Sequence, residues 1–141
     1  MAPPAETFAQ EWFRRVWNNL EADAIDELMA PNCLAHGLGP APLLGPAGFR
    51  TIYDSFIAAF KDIHIEVLRE VHEGDLVAAL SSVTVVSRAN GRSHTFLGCP
   101  MMRLAGRQIA EAWNVWDFLS LAEAMGAAPP NSLQAALTPI Q

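Results

Sequence analysis

At Asp62 the hydrophobic period of this chain changes from about four to two, and that switch divides the sequence into a helical half and a strand half. Upstream, "AETFAQEWFRRVWNNL" (residues 5–20) sets Phe8, Trp12, Val16 and Leu20 on one stripe, the spacing of an amphipathic helix. "ADAIDELM" repeats the pattern with Ile25, Leu28 and Met29, and Pro31 ends it. A third helix is predicted from about Ala47 to Phe60, with Phe49, Ile52, Tyr53, Phe56 and Phe60 on its core side. Downstream, Ile63, Ile65 and Val67 alternate with His64 and Glu66. "EGD" then turns the chain into "LVAALSSVTVVSR", "ANGR" into "SHTFLGCPMMRL", and "AGRQ" into "IAEAWNVW".

Three helices followed by at least four consecutive antiparallel strands make an α+β domain with its helices on one face of a sheet. The 141 residues, 51% of them hydrophobic, suit a single domain, residues 1–141. Its core covers about residues 6–126, and 127–141 form a Pro-interrupted tail with one short helix. "CLAHG" is a short apolar segment ending at His36 and Gly37. Residues 37–46, "GLGPAPLLGP", are too rich in Gly and Pro for regular structure and read as a loop whose three leucines need cover.

The charge pattern narrows the partners. With 9 Lys+Arg against 15 Asp+Glu the formal charge is −6, and no basic cluster is present to meet a phosphate backbone, so no nucleic acid is expected. No basic stretch precedes an apolar one at the N-terminus, and no run approaches the roughly 20 apolar residues of a membrane span. A cytoplasmic protein is expected. Cys33 and Cys99 are far apart and form no CxxC pair, which reads as two reduced, buried thiols. His64 and His72 have no metal-ligand spacing and read as solvated strand residues, so no metal site is expected.

The last two strands carry the candidate site. Simple alternation across the Ala105-Gly106 turn puts Leu97, Cys99, Met101, Arg103, Ala110, Ala112, Asn114 and Trp116 on one face. Phe96, Pro100, Met102, Ile109, Glu111, Trp113 and Val115 fall on the other. Both faces are mostly apolar, which predicts helices on one and a second copy of the chain, a homodimer, on the outer one. On the Asn114 face, Ala110 and Ala112 leave room, while Leu97, Cys99, Met101 and Trp116 supply apolar lining for a pocket. Asn114 either orients a ligand there or satisfies neighbouring backbone. Arg103 pairs with a carboxylate at the rim or anchors an acidic substrate. Asp117 reads as the N-cap of "FLSLAEAMG", with Gly126 just past its end.

The order of elements, "GPAGFRTIYDSFIAAFKD", the hairpin "FLGCPMMRLAGRQIAEAWNVWDF" and the Leu-rich helix after it resemble the SnoaL-like polyketide cyclases of the nuclear-transport-factor-two-like superfamily. The resemblance covers about residues 6–126. It implies a cone-shaped curved antiparallel sheet packed on three N-terminal helices, usually a homodimer, and an enzyme without cofactor that closes or isomerises an apolar oxygenated substrate through an enol or enolate. It also places the family's acid/base aspartate at position 114, where this chain has Asn114, and its second acidic position at Asp117. An amide orients an oxygen but does not act as a general base.

Other groups are therefore candidates for moving the proton. The resemblance puts His36 near the pocket mouth, where an imidazole suits proton transfer; its alternative is a loop-bracing histidine. Tyr53, on the apolar stripe of the third helix, either polarises a carbonyl or serves as a core aromatic. Trp12, Trp17 and Phe56 line the cavity as well as the core. His94 joins the Asn114 face only if a bulge, for which "GCP" is a natural place, reverses the alternation. The leading expectation is a cyclase or isomerase using Asn114, His36 and Tyr53. An epoxide-opening hydrolase of the same fold and a non-catalytic carrier of apolar ligands are the alternatives.

Overall fold

The computed structural model describes residues 4–139. Helix α1 (Phe8–Trp12) opens with a capping box on Thr7 and runs on without a break as a π-helix, Phe13–Asn18. Helix α2 (Asp23–Leu28) leads into strand β1 (Met29–His36), and β2 (Leu43–Leu44) into helix α3 (Gly45–Ala59). The strands β3 (Phe60–Glu73), β4 (Leu76–Ser87), β5 (Ser93–Gly98), β6 (Met101–Ala105) and β7 (Gln108–Trp113) follow, then α4 (Phe118–Ala124) and α5 (Ser132–Leu137).

The strands form one seven-stranded sheet in the order β2-β1-β7-β6-β4-β3, with β5 following β6 along β4. Every pairing is antiparallel except β1 with β7, which is parallel. The fold is α+β, as the change of period predicts. Register shifts between Phe60 and Asp62 and between Val67 and Arg69 bend the long β3–β4 ribbon toward the helices. The core lies in that concavity, with Val16, Ile25, Leu28 and Met29 from the helical half against Val85 and Ile109 of the sheet. Burying such side chains is worth roughly 1.5–3 kcal/mol each before the entropic cost of ordering the chain.

Several local expectations change. The π-turn carries Leu20 off the stripe begun by Phe8, Trp12 and Val16, leaving it 48% exposed in a left-handed conformation. In return it aims Asn18 at the edge strand: its amide donates to the Ile65 carbonyl and accepts from the Ile65 N–H, standing in for a neighbouring strand. The second helix stops at Leu28, and Met29 already belongs to β1. "CLAHG" is the end of that strand, and two leucines of the Gly/Pro segment pair with it as β2. "SHTFLGCPMMRL" is two strands rather than one, because Cys99 and Pro100 leave the ladder between β5 and β6. Cys33 is buried as expected, whereas Cys99 is exposed.

The largest correction concerns which side chains share a face. Leu104 pairs with Ile109, but Arg103 pairs with Glu111, so Ala110 is an extra residue bulged out of β7. The bulge reverses the alternation beyond it. Even positions therefore point inward on both strands: Phe96 and Met102 are buried with Ala112, while Leu97, Cys99 and Met101 face outward and are exposed. These three lie outside the pocket for that reason. His94 does join the Asn114 face, through a bulge at Ala110 rather than one at "GCP".

Candidate active site

Asn114 follows the last residue of β7, where the parallel strand β1 also ends. Its backbone N–H donates to the His36 carbonyl (2.9 Å), and its side-chain Nδ2 donates to the same oxygen (3.1 Å). Oδ1 accepts from the indole Nε1 of Trp116 (3.2 Å). A carbonyl only accepts and an indole N–H only donates, so the two partners fix which way round the amide lies. Nδ2 keeps a second N–H without a partner among the described residues.

Two glycines make this arrangement possible. Gly37 has φ +86°, and a Cβ on it would lie 2.0 Å from the Asn114 carbonyl oxygen, so only glycine lets the chain leave β1 so close to Asn114. Gly98 lies beneath the Trp116 ring, where a Cβ would come within 2.1 Å of Cε3. The bare Gly98 backbone pairs with Trp116 across an isolated bridge, flanked by Cys99 N–H to Val115 O (2.7 Å) and Asp117 N–H to Leu97 O (2.9 Å). The indole that holds the Asn114 amide is thereby seated on β5.

Asn114 and Trp116 border a cavity of about 60 Å³. Trp12, Phe13 and Trp17 come from the first helix, Phe49 and Phe56 from α3, and Phe96 from β5. Leu38, Ile63, Ile65, Val83 and Phe118 complete the lining. Several of the rings meet edge-on, as in Trp17–Phe56 (5.7 Å, 78°) and Phe96–Trp116 (6.4 Å, 79°), a favourable geometry for their quadrupoles, and others are tilted, as in Phe96–Phe118 (54°). None of the lining residues carries a titratable side chain. Asn114 is the one amide in an aromatic enclosure, where a hydrogen bond is stronger than in water.

The other expected groups fall elsewhere. β1 runs in register with β7, so the neighbours Ala35 and Ala112 point inward and the next pair, His36 and Trp113, outward. The His36 ring stacks on Trp113 (5.8 Å, 16°), with its Nε2 2.8 Å from Glu111 Oε2. Arg103 reaches the other Glu111 oxygen at 3.5 Å, bearing out its pairing with a carboxylate. The hydrogen bond from His36, against some opposing desolvation, holds the Glu111 carboxyl below its ordinary value, and Arg103 adds to the effect. His36 thus contributes its carbonyl to the site and its ring to the outer face of the sheet.

Tyr53 is buried, and its hydroxyl donates to the Val16 carbonyl (3.1 Å), so it braces the first helix as a core aromatic; burial pushes its phenol above the usual value. His94 stacks on Phe96 (6.2 Å) and hydrogen-bonds Ser120 (2.9 Å), tying β5 to α4 behind the cavity wall. Asp117 accepts from the Ser120 N–H (3.0 Å) as the N-cap of α4, and Gly126 follows the helix, both as expected. Of the expected residues the fold brings together Asn114, Trp116, Trp12, Trp17 and Phe56. Sequence reasoning missed Phe13, Phe49, Phe96 and Phe118 as lining. Phe49 is visible on its helical stripe, Phe96 is hidden by the bulge, and Phe13 sits at helical spacing between the buried Ala9 and Val16.

Among the described residues no cluster of three or more His, Cys, Asp or Glu side chains is placed to hold a metal ion, and no helix is long and apolar enough to cross a membrane.

Comparison with known proteins supports this architecture. Three solved structures share the fold at low identity. IdmH, a candidate polyketide cyclase from Streptomyces antibioticus, is 21% identical with a TM-score of 0.73 over 84% of this chain and 96% of its own. AclR, a candidate hydroxylase from Streptomyces galilaeus, is 20% identical with a TM-score of 0.76 over 92% and 86%. A protein of ketosteroid-isomerase-like fold from Catenulispora acidiphila, solved with trimethylamine, is 16% identical with a TM-score of 0.77 over 96% and 100%. A sequence search of curated proteins finds no match. The family model for SnoaL-like polyketide cyclases matches residues 7–125, nearly the whole of the helix-and-sheet unit described above, and the chain belongs to that family.

Proposed function

We propose that the protein is an enzyme that acts without cofactor on a neutral, apolar, oxygenated small molecule of the polyketide kind, closing a ring or shifting a proton through an enol or enolate. The observation that carries this reading is the Asn114 amide, locked by His36 O and Trp116 Nε1–H and bordering a cavity lined otherwise by apolar and aromatic side chains, with one N–H left without a partner among the described residues. That N–H is a preorganised donor for a carbonyl oxygen as it gains negative charge.

In an aldol closure, the enol carbon of the substrate attacks its own ketone carbon and the new C–C bond forms. The ketone π electrons move onto oxygen as an alkoxide held by Asn114, and the proton given up by the enol oxygen ends on that alkoxide. No protein base is consumed, which suits a cavity without titratable side chains. The ring of His36 and the hydroxyl of Tyr53 take no part. Trp116 is a positioning residue, since it fixes the amide. Opening an epoxide by hydrolysis is less well supported, because no carboxylate lines the cavity to activate water.

Removing one oxyanion donor lowers kcat by roughly 10²–10³. Turnover of candidate β-polyketone substrates by the wild type and Asn114→Ala tests the proposal, and undiminished turnover in the variant removes Asn114 from the mechanism. The absence of a titratable group from the lining also favours a second reading, a carrier that shields an apolar ligand. Tight binding by the wild type with no turnover selects it.

The proposal includes a homodimer. The outer face of the sheet exposes Leu34 of β1, Leu80 of β4, Leu97 of β5, Met101 of β6 and Val115 beyond β7, apolar side chains that a second copy would cover. Sedimentation of the wild type and Leu97→Lys checks it: a monomeric wild type removes the dimer from the proposal.

A further inference from the structure

Asn114 borders more than one cavity. Beside it lies a smaller, inner chamber of about 30 Å³, which shares Trp12, Phe13, Phe49 and Asn114 with the outer cavity and is closed by residues of the sheet. Its remaining walls are Met29, Ala35, Pro100, Met102, Ile109 and Ala112, all apolar and buried. The chamber exists because Ala35 and Ala112 are register partners on β1 and β7, and Met102 is the partner of Ala112 on β6. Two methyl groups stand side by side on neighbouring strands, leaving a depression in the inner face. Met29 and Met102 beside it are unbranched side chains that adapt to different shapes.

We propose that this chamber is a substrate subsite, and that the substrate therefore carries its reacting carbonyl in the middle of the molecule. One compact apolar arm lies in the inner chamber. A larger, flat arm lies among Trp17, Phe56, Phe96 and Phe118, and the carbonyl between them meets the free N–H of Asn114. Ala35 and Ala112 set the length of the inner arm. A substrate whose carbonyl terminates the molecule leaves the inner chamber empty and forfeits its contacts. The inference rests on the proposed recognition of a neutral carbonyl by Asn114 and adds the position of that carbonyl along the substrate.

Phenyl ketones of increasing chain length, from acetophenone through butyrophenone to octanophenone, test it, with binding read from the fluorescence of the tryptophans that line the cavity. In the wild type, affinity rises about fourfold per added methylene until the chamber is full, then levels off. Ala112→Leu moves the plateau to a shorter chain, so that its loss for hexanophenone is at least tenfold greater than for acetophenone. Met102→Ala enlarges the chamber and moves the plateau to a longer chain, which keeps the test open should Ala112→Leu fold poorly. Chain-length profiles unchanged in both variants overturn the subsite while leaving carbonyl recognition standing. Failure of the wild type to bind any ketone of the series overturns both.

Discussion

The two sides of the sheet at the end of β7 are built from adjacent residues and obey different physics. On the inner side, Asn114 is an uncharged amide among aromatic rings, held by a carbonyl and an indole N–H. On the outer side, the Glu111 carboxylate is hydrogen-bonded to the His36 ring and paired with Arg103, all partly exposed. His36 serves both, its carbonyl turned in and its imidazole out. The difference teaches where chemistry in this chain depends on fixed dipoles and where it depends on charge. Inside, a charged group would pay a desolvation penalty without a partner. Outside, water screens each ion pair and leaves it worth little.

The inner arrangement breaks most severely where backbone meets backbone. Gly37→Ala requires a Cβ 2.0 Å from the Asn114 carbonyl oxygen at a residue with φ +86°, so β1 and β7 have to part at their ends. A cost on the order of 3 kcal/mol is expected, read as a drop in urea midpoint together with loss of ligand binding. Gly39→Ala is the control, because nothing lies within 4 Å of a Cβ there. Equal stability of the two variants would show that the close approach at Asn114 is unnecessary.

A second variant asks whether the inner side needs a donor or an acid. In Asn114→Asp, one carboxyl oxygen accepts from Trp116 Nε1–H and the other takes the place of Nδ2, facing the His36 carbonyl. Two oxygens at that distance tolerate each other only with a proton between them, so the new carboxyl is raised above its ordinary value near 3.9. A raised folded-state value means that the contribution to stability is complete below about pH 4 and is lost as the pH rises through the folded value. Relative to the wild type, Asn114→Asp should lose on the order of 2 kcal/mol between about pH 4 and pH 8. A gap independent of pH would sink this account of the His36 carbonyl. The wild-type amide thereby resembles the protonated, donating form of an aspartic acid at the position where the family resemblance puts one.

The sequence revealed those parts of the molecule that depend on near neighbours. The period-two runs of β3 and β4 are joined by a short turn, so their pairing follows from alternation alone. Asp117 caps α4 through an N–H three residues away, and such a bond needs no tertiary context. What stayed hidden depends on distant partners. One extra residue at Ala110 reverses a face, so simple alternation sets Leu97, Cys99 and Met101 toward the pocket and hides Phe96. The parallel pairing of β1 with β7 joins residues as far apart in sequence as His36 and Trp113, and it sets the His36 ring on the outer face. The π-turn that carries Leu20 out of the apolar stripe has no marker in a pattern read at helical spacing.

The smallest expected effect lies on the outer side and tests whether the two sides are independent. The depressed Glu111 carboxyl contributes stability that is complete above the ordinary glutamate value and is lost as the pH falls through the lowered one. The Tm gap between the wild type and Glu111→Gln should therefore be present near pH 6, close as the pH falls toward about 3, and narrow with added salt. Ketone affinity should not follow it, because Glu111 does not line the cavity. The one route between the sides is His36, whose ring Glu111 holds and whose carbonyl orients the Asn114 amide. If Glu111→Gln weakened ketone binding as much as Asn114→Ala, the carbonyl would have to move with the ring, and the two sides would be one site. A change in stability alone would show instead that the parallel ladder of β1 and β7 holds that carbonyl in place whatever happens to the imidazole.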